Sequence, residues 1–324
     1  MSAHPGLAAV VEARSRIRGL AGVTPLIESP ALAAVLGAPV WLKAECLQET
    51  GSFKVRGAAN ALLSLPKDRR AAGVVAVSSG NHGRAVAHVA RALGVAATIC
   101  LSSRVPRSKV EAIEALGVRV VVAGPDQDDA EGAARRLEAE DGLAFIHPFD
   151  DPAVIAGQGT IALEVLDEQP DIAAFIVPLS GGGLLSGIAA GAKGMNLAVR
   201  MVGVSQDRGP AMYESLRAGA IVPVVEEDTL ADALAGGLGA VNHHTLAMCR
   251  ALVDETLLVS EGEIADAMRW LHTHHDLRVE GGGAVGVAAI LAGKVASDGP
   301  TVVVVSGGNI GDGAFDAVIR HHRG

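Results

Sequence analysis

The chain has 324 residues, more than one compact core usually holds, so its length points to one large α/β unit or two lobes. Hydrophobic residues make up 49% but aromatics only 2%, so the interior must be built from Ala, Val, Leu and Ile, as in a parallel sheet covered by helices. A net charge of −9, with acids and bases interspersed, argues against nucleic acid or an anionic membrane as partner, and no apolar run is long enough to span a bilayer. Cys46, Cys100 and Cys249 are widely spaced with no CxxC, which suggests neither a disulfide frame nor a zinc knuckle and fits a reducing compartment. The N-terminal Met-Ser-Ala-His-Pro lacks the basic-then-apolar pattern of a leader, so a soluble, cytoplasmic protein is expected.

In chain order, residues 5–19 read as a helix, Thr24-Pro25-Leu26 as a turn, and Pro30 to Leu36 as a second short helix. Val40 to Ala44 is the first convincing strand. In Glu49-Thr-Gly-Ser-Phe-Lys-Val-Arg-Gly57 a polar, glycine-marked turn becomes an amphipathic helix, with Ser52 available as its cap and Phe53, Val55, Ala58, Ala59, Leu62 and Leu63 at helical spacing. Lys54 then lies in the first turn, near the positive end of the helix dipole and near Arg56. Both influences disfavour its ammonium form and favour a nucleophilic amine, which a Schiff base with an aldehyde cofactor requires. Alone, such a lysine is more often solvated surface.

Three strand–helix pairs follow within about 70 residues: Val74–Val77 with Gly83–Leu93, Ala96–Leu101 with Arg107–Leu116, and Val118–Val122 with Gln127–Glu140. Pro106 precedes the second of these helices, where its missing donor costs nothing. The alternation continues past His147-Pro148 with helix Ala153–Asp167, strand Ala173–Val177, the glycine run from Ser180 to Gly187, strand Val199–Val204 and helix Pro210–Arg217. Ser260-Glu-Gly-Glu263 is a capping box opening a helix to about His275. Gly281-Gly-Gly-Ala-Val-Gly286 leads into an apolar helix, and Thr301–Val305 is a buried strand ending at Ser306-Gly-Gly-Asn309. Without linkers or repeats, this predicts a two-lobed parallel-sheet α/β fold, with residues 1–72 and 149–324 as the large domain and 73–148 as the small one.

Loops after the carboxyl ends of strands line the ligand crevice in such sheets. The turn Ser78-Ser79-Gly80-Asn81-His82-Gly83 offers backbone amides for an anion such as a carboxylate, with Ser79 and Asn81 adding hydrogen-bonding groups; a plain capped turn is the alternative. In Ser180-Gly181-Gly182-Gly183-Leu184 three glycines let successive amides close round a phosphate at a helix start. Gly181, Gly183 and Gly187 with Ser186 and Asp207 also loosely imitate a dinucleotide fingerprint at imperfect spacing. Ser306 is a hydroxyl at the end of the last strand, and Glu280 is a candidate pocket acid of a type more often solvated. His243-His244 and His272-Thr-His-His275 carry no HExxH and read as polar-face residues, so no metal site is expected.

Ser-Phe-Lys54-x-Arg-Gly, the Ser-Ser-Gly-Asn-His turn, the triglycine loop and the terminal Ser-Gly-Gly-Asn occur in one order and resemble the pyridoxal-phosphate enzymes of the threonine/serine dehydratase and serine racemase family, of the tryptophan-synthase-β-like fold. The resemblance runs from Thr24 to Ser306 and includes Ala156-Gly-Gln-Gly-Thr160 as a matching helix start. It implies pyridoxal 5'-phosphate as cofactor, Lys54 as Schiff-base lysine, Phe53 packed near the ring, Asn81 on the ring hydroxyl, amides of Ser180, Gly181, Gly182, Gly183 and Leu184 on the phosphate, and Ser306 facing the pyridine nitrogen. Ser79, Gly80, Asn81 and His82 would clamp the substrate carboxylate. A serine rather than an aspartate at the ring nitrogen makes a weaker electron sink and favours β-elimination. The implied enzyme is an ammonia-lyase converting a threonine- or serine-like hydroxy amino acid to a 2-oxo acid and ammonia, and the resemblance implies a homodimer.

Departures qualify the match. Ser180 replaces a common family glycine, Ser205 and Ala211 stand where cation-activated members carry acids, and the chain stops soon after Ser306, which argues against an isoleucine-sensing regulatory domain. Ser79 is the type serine racemases use to deliver a proton to the opposite face, so racemisation is a second reading. Gly203 to Tyr213 and Ala231 to Gly239 are similar to the hydroxyectoine-utilisation dehydratase branch, which implies a hydroxyectoine-derived substrate as a third. The side-chain pocket is expected on loops Arg104 to Ser108 and Phe149 to Asp151.

Overall fold

A computed structural model describes residues 4–296 and 299–320. Among the described residues ten strands form two sheets: β1 (Leu26–Glu28), β2 (Val40–Ala44), β3 (Val74–Val77), β4 (Ala97–Leu101), β5 (Arg119–Val122), β6 (Ala144–Phe145), β7 (Ala174–Pro178), β8 (Arg200–Gln206), β9 (Glu255–Val259) and β10 (Thr301–Val305). The larger sheet has the order β1-β2-β10-β7-β8-β9 and is parallel except for β1, which pairs antiparallel with β2. The smaller, all-parallel sheet has the order β5-β4-β3-β6.

β10 explains why aromatics are dispensable. Val303 and Val305 pack into one core with Leu42 and the Gly281–Leu291 helix, while Val302 and Val304 pack into another with Phe175, Ile161 and Ile188. A strand covered on both faces needs β-branched residues throughout rather than alternation. On the smaller sheet, Val74, Ala76 and Ile99 face the Asn81–Leu93 helix, and Val75, Val77 and Cys100 face Gln127–Asp141.

Several elements differ from the sequence reading. The Thr24-Pro25-Leu26 turn runs directly into β1, and neither β1, β6 nor β9 was anticipated as a strand; β1 and β6 are too short to carry a period. Ala156 to Thr160 lies inside the Pro152–Glu168 helix, whose actual start is capped by Asp151 accepting from Ala153 and Val154 N–H. The interior position has its own use. A Cβ on Gly157 would stand 2.6 Å from the Arg56 carbonyl oxygen, and one on Gly187 would stand 2.3 Å from that of Ile155, so glycine alone lets the Lys54–Ser64 and Gly183–Met195 helices close against this one. That contact brings the lysine and the triglycine turn to a common scaffold. The capping box at Ser260 and Glu263 forms as expected. No helix among the described residues is long and apolar enough to cross a membrane.

Candidate active site

The turns after β3, β7 and β10 all leave the carboxyl ends of parallel strands, as the sequence implied. Lys54 opens its helix, but Ser52 does not cap it: the N-cap position is Phe53 with no side-chain bond, and the Ser52 hydroxyl is fully buried without a partner among the described residues. The entry is held instead by backbone. Ser52 bridges to Gly307, and the Phe53 N–H donates to the Ser306 carbonyl at 3.0 Å, tying the lysine turn to the end of β10.

The partly buried Lys54 donates from Nζ to the Pro148 carbonyl at 2.7 Å. Burial lowers its pKa to about 8, partly opposed by the Glu280 carboxylate. The direction matches expectation and the cause does not, because Arg56 takes no part. Its guanidinium is enclosed and engages Glu45 at 2.8 Å and Glu164 at 2.6 Å, with Lys43 closing on Glu164 at 2.7 Å and Thr24 on Glu45 at 2.5 Å. Its charge is thereby neutralised beneath the helix rather than spent on the amine.

In the turn after β3, the amides of Ser79, Asn81, His82 and Gly83 donate to no acceptor among the described residues, while Gly80 N–H reaches the Ser78 hydroxyl at 3.1 Å. These amides suit a carboxylate. The His82 ring does not: it is buried, 2.9 Å from the Ile146 carbonyl, and burial with nearby Lys54 depresses it to about 3, so only its backbone is available. Asn81 gives an N–H to Glu280 at 2.6 Å and accepts one from Asn309 at 2.6 Å.

After β7, the amides of Ser180, Gly181, Gly182, Gly183, Leu184 and Leu185 also donate to no acceptor among the described residues, and Gly182 adopts φ 84°, which favours glycine. A row of undischarged donors at a helix start suits an anion such as a phosphate. Phe149 walls it: a Cβ on Gly181 would lie 2.4 Å from the ring. The loop bearing Phe149 is fixed by Asp150, which accepts amides from His243, His244 and Thr245, and by the His147 ring, which accepts from Phe149 and Asp150. Ser306 is buried, and its hydroxyl bonds nothing among the described residues.

Sequence reasoning missed Pro148, expected Phe149 and Asp150 on the side-chain pocket rather than beside the triglycine turn, named Asn309 only as part of the last turn without its bond to Asn81, and undervalued Glu280. Glu280 is 4% exposed, and burial pushes its pKa up to about 7. The three glycines that follow it were the available signal. His274 stacks on Trp270 and His275 bonds Ser29, and among the described residues no group of three His, Cys, Asp or Glu is arranged to hold a metal.

A buried amine whose pKa is lowered to about 8, a row of unengaged amides at a helix start and an unengaged hydroxyl at a strand end fit a phosphorylated aldehyde, and define an enzyme that works through a Schiff-base cofactor. The chain belongs to the pyridoxal-phosphate dependent enzyme family, whose profile matches residues 17–307. It is 49% identical over 315 residues to a Sinorhizobium fredii protein that carries a threonine dehydratase name, covering 97% of this chain and 95% of that one. To the L-threonine ammonia-lyase of Thermotoga maritima it is 41% identical over 311 residues, covering 96% and 77%. Maize serine racemase superposes with a TM-score of 0.90 at 35% identity, covering 96% and 95%, and the shared architecture is the tryptophan-synthase-β-like one.

Proposed function

We propose that this enzyme is an ammonia-lyase that removes the elements of water from a β-hydroxy amino acid of the threonine or serine type and releases a 2-oxo acid and ammonia. The observation that carries the reading is the Lys54 amine, its pKa lowered to about 8 by burial, in a chain whose last parallel strand ends in a neutral hydroxyl, Ser306. Identity of 41–49% to relatives named for threonine supports the substrate class.

Pyridoxal phosphate, when bound, supplies a carbonyl for the substrate amine and an electron sink that acidifies the hydrogen on Cα. The amides of Ser180 to Leu184 would carry its phosphate, Phe53 would pack near its ring, Asn81 would meet its ring oxygen and Ser306 its ring nitrogen. Lys54 would hold the group in the resting enzyme and, once displaced, take the Cα proton at Nζ as general base. Backbone amides from Ser79 to His82 would hold the substrate carboxylate. As a neutral partner, Ser306 gives no fixed charge to keep the ring nitrogen protonated, which suits expulsion of a β-hydroxyl over a long-lived carbanion. The water lost in elimination is regained when the released enamine hydrolyses, so the net change is hydroxy amino acid to 2-oxo acid plus ammonia.

The test is a panel of L- and D-hydroxy amino acids, including 3-hydroxyaspartate and hydroxyectoine-derived compounds, assayed for 2-oxo acid with the wild type and Lys54→Ala. Turnover of threonine or serine, lost in the variant, supports the reading; a protein that binds no pyridoxal phosphate sinks it. Ser79 sits at the helix start without a side-chain bond among the described residues, which favours racemisation as a second activity. Ser79→Ala should then abolish racemisation while sparing elimination. The domain division at 72/73 and 148/149 is proposed with the two sheets, and a homodimer is the proposed assembly, testable by sedimentation.

A further inference from the structure

The Asn81 carboxamide could present either an N–H or a carbonyl oxygen to whatever lies beside it. Its neighbours remove that choice. The Thr50 carbonyl, an acceptor only, receives Asn309 Nδ2 at 2.8 Å, and the same nitrogen reaches Asn81 Oδ1 at 2.6 Å. Both protons of that Asn309 group are then used, and the Asn81 oxygen is occupied. Asn81 Nδ2 is turned toward Glu280 Oε1 at 2.6 Å, which takes one of its two protons. The second proton has no acceptor among the described residues.

The chain from carbonyl through two amides to a carboxylate is held at both ends. Glu280 is itself fixed by its backbone N–H to the Gly307 carbonyl at 3.1 Å, and a Cβ on Gly307 would stand 2.3 Å from Glu280 Oε1, so the glycine is needed to admit the carboxyl group. Asn81 follows β3 of the smaller sheet, whereas Glu280 and Asn309 flank the Gly281–Leu291 helix and β10 of the larger one. The orientation of one side chain is thus set from the opposite sheet.

We propose that Glu280, together with Asn309, is a positioning residue that locks the Asn81 carboxamide so that its remaining N–H, not its carbonyl, faces the ring oxygen of the cofactor. The inference rests on the proposed placement of Asn81 at that oxygen. A donor there stabilises the deprotonated ring oxygen and therefore the visible-absorbing form of the bound cofactor over the near-ultraviolet form.

The test compares cofactor-loaded wild type with Asn81→Ala, Glu280→Ala, Glu280→Gln and the Asn81→Ala/Glu280→Ala double variant, reading the visible to near-ultraviolet absorbance ratio and the dissociation constant for pyridoxal phosphate. Glu280→Ala should lower the ratio in the direction of Asn81→Ala and weaken binding about tenfold, the usual effect of losing one buried hydrogen bond. Glu280→Gln keeps an acceptor oxygen and should stay near the wild-type ratio, and the double variant should bind about as Asn81→Ala alone, because the two residues act through one contact. An altered Asn81→Ala with a wild-type Glu280→Ala overturns the proposal by itself. Additive losses in the double variant, or a Glu280→Gln ratio as low as that of Asn81→Ala, also overturn it, the latter even if Glu280→Ala does not fold. An unchanged Asn81→Ala ratio removes Asn81 from the ring and takes both readings down together.

Discussion

The Lys54 amine donates to the Pro148 carbonyl at 2.7 Å, so the proposed nucleophile is held by the segment that joins the smaller sheet to the larger one. Burial brings its pKa down to about 8, against the opposing pull of Glu280. The consequence is a pH dependence of cofactor capture.

Below about 8 the amine is mostly ammonium and cannot attack a carbonyl; above it the neutral form predominates. The rate at which apoprotein mixed with pyridoxal phosphate develops its visible band should rise with pH, reach half its maximum near 8 and then level. Lys54→Arg should develop no band at any pH, because guanidinium does not deprotonate. A wild-type rate that is flat between pH 6.5 and 9.5 would contradict the assignment.

The wall of the triglycine turn makes a second prediction. Gly181→Ala places a methyl 2.4 Å from the Phe149 ring, so the ring must move or the cradle must distort, at a cost of about 1–3 kcal/mol. Weaker pyridoxal-phosphate affinity and a lower Tm are expected together. Phe149→Leu in the same chain should recover part of both, since it vacates the space the methyl enters. If Gly181→Ala leaves affinity and Tm at wild-type values, the close approach of Phe149 has no weight.

Lys54 and the turns at Ser79, Ser180 and Ser306 were legible because each is a local pattern: a strand, then glycine or serine, then a helix. The apolar strands β2, β3 and β10 declared themselves for the same reason. What stayed hidden depends on partners far along the chain. Arg56 looks in sequence like a neighbour of Lys54, yet its charge is met by Glu164, 108 residues away. Ser52 has the composition of a cap, yet the bridge to Gly307 turns its hydroxyl inward. Glu280 looked solvated until Asn81, 199 residues earlier, gave it a buried hydrogen bond.

The ion cluster under the lysine helix provides a stability test. Burial alone would raise Glu45, but Arg56, with Thr24 and Lys43, holds its carboxyl below the usual range. Arg56→Ala leaves two enclosed carboxylates with Lys43 as their single remaining cation among the described residues, a loss of about 3–5 kcal/mol. Thermal unfolding should shift down by on the order of 10 °C. Arg56→Lys keeps the charge without the two-pronged geometry and should recover only part. A shift of Arg56→Ala within the scatter of surface variants would reduce the cluster to a bystander.

Glu280 gives the sharpest pH signature. Burial raises its pKa from 4.5 to about 7; nearby Asp232 adds to the rise, while Asn81, the Asn309 N–H and Arg84 oppose it. Lys54, which also faces it, titrates near 8 and keeps its charge throughout the window below. With the folded value above the unfolded one, the folded protein binds more protons between about 4.5 and 7, so stability must fall as pH rises across that interval. The shift corresponds to a penalty of about 3 kcal/mol, complete above pH 7 and absent well below 4.5. Glu280→Gln cannot ionise and escapes it. Urea midpoints of the two apoproteins, measured from pH 4.5 to 7.5, should therefore diverge progressively, the wild type losing ground to the variant until about pH 7 and running parallel thereafter. Parallel curves over the whole range would mean that the carboxyl ionises in the folded protein as freely as in water, and the enclosed contact with Asn81 would have to be abandoned.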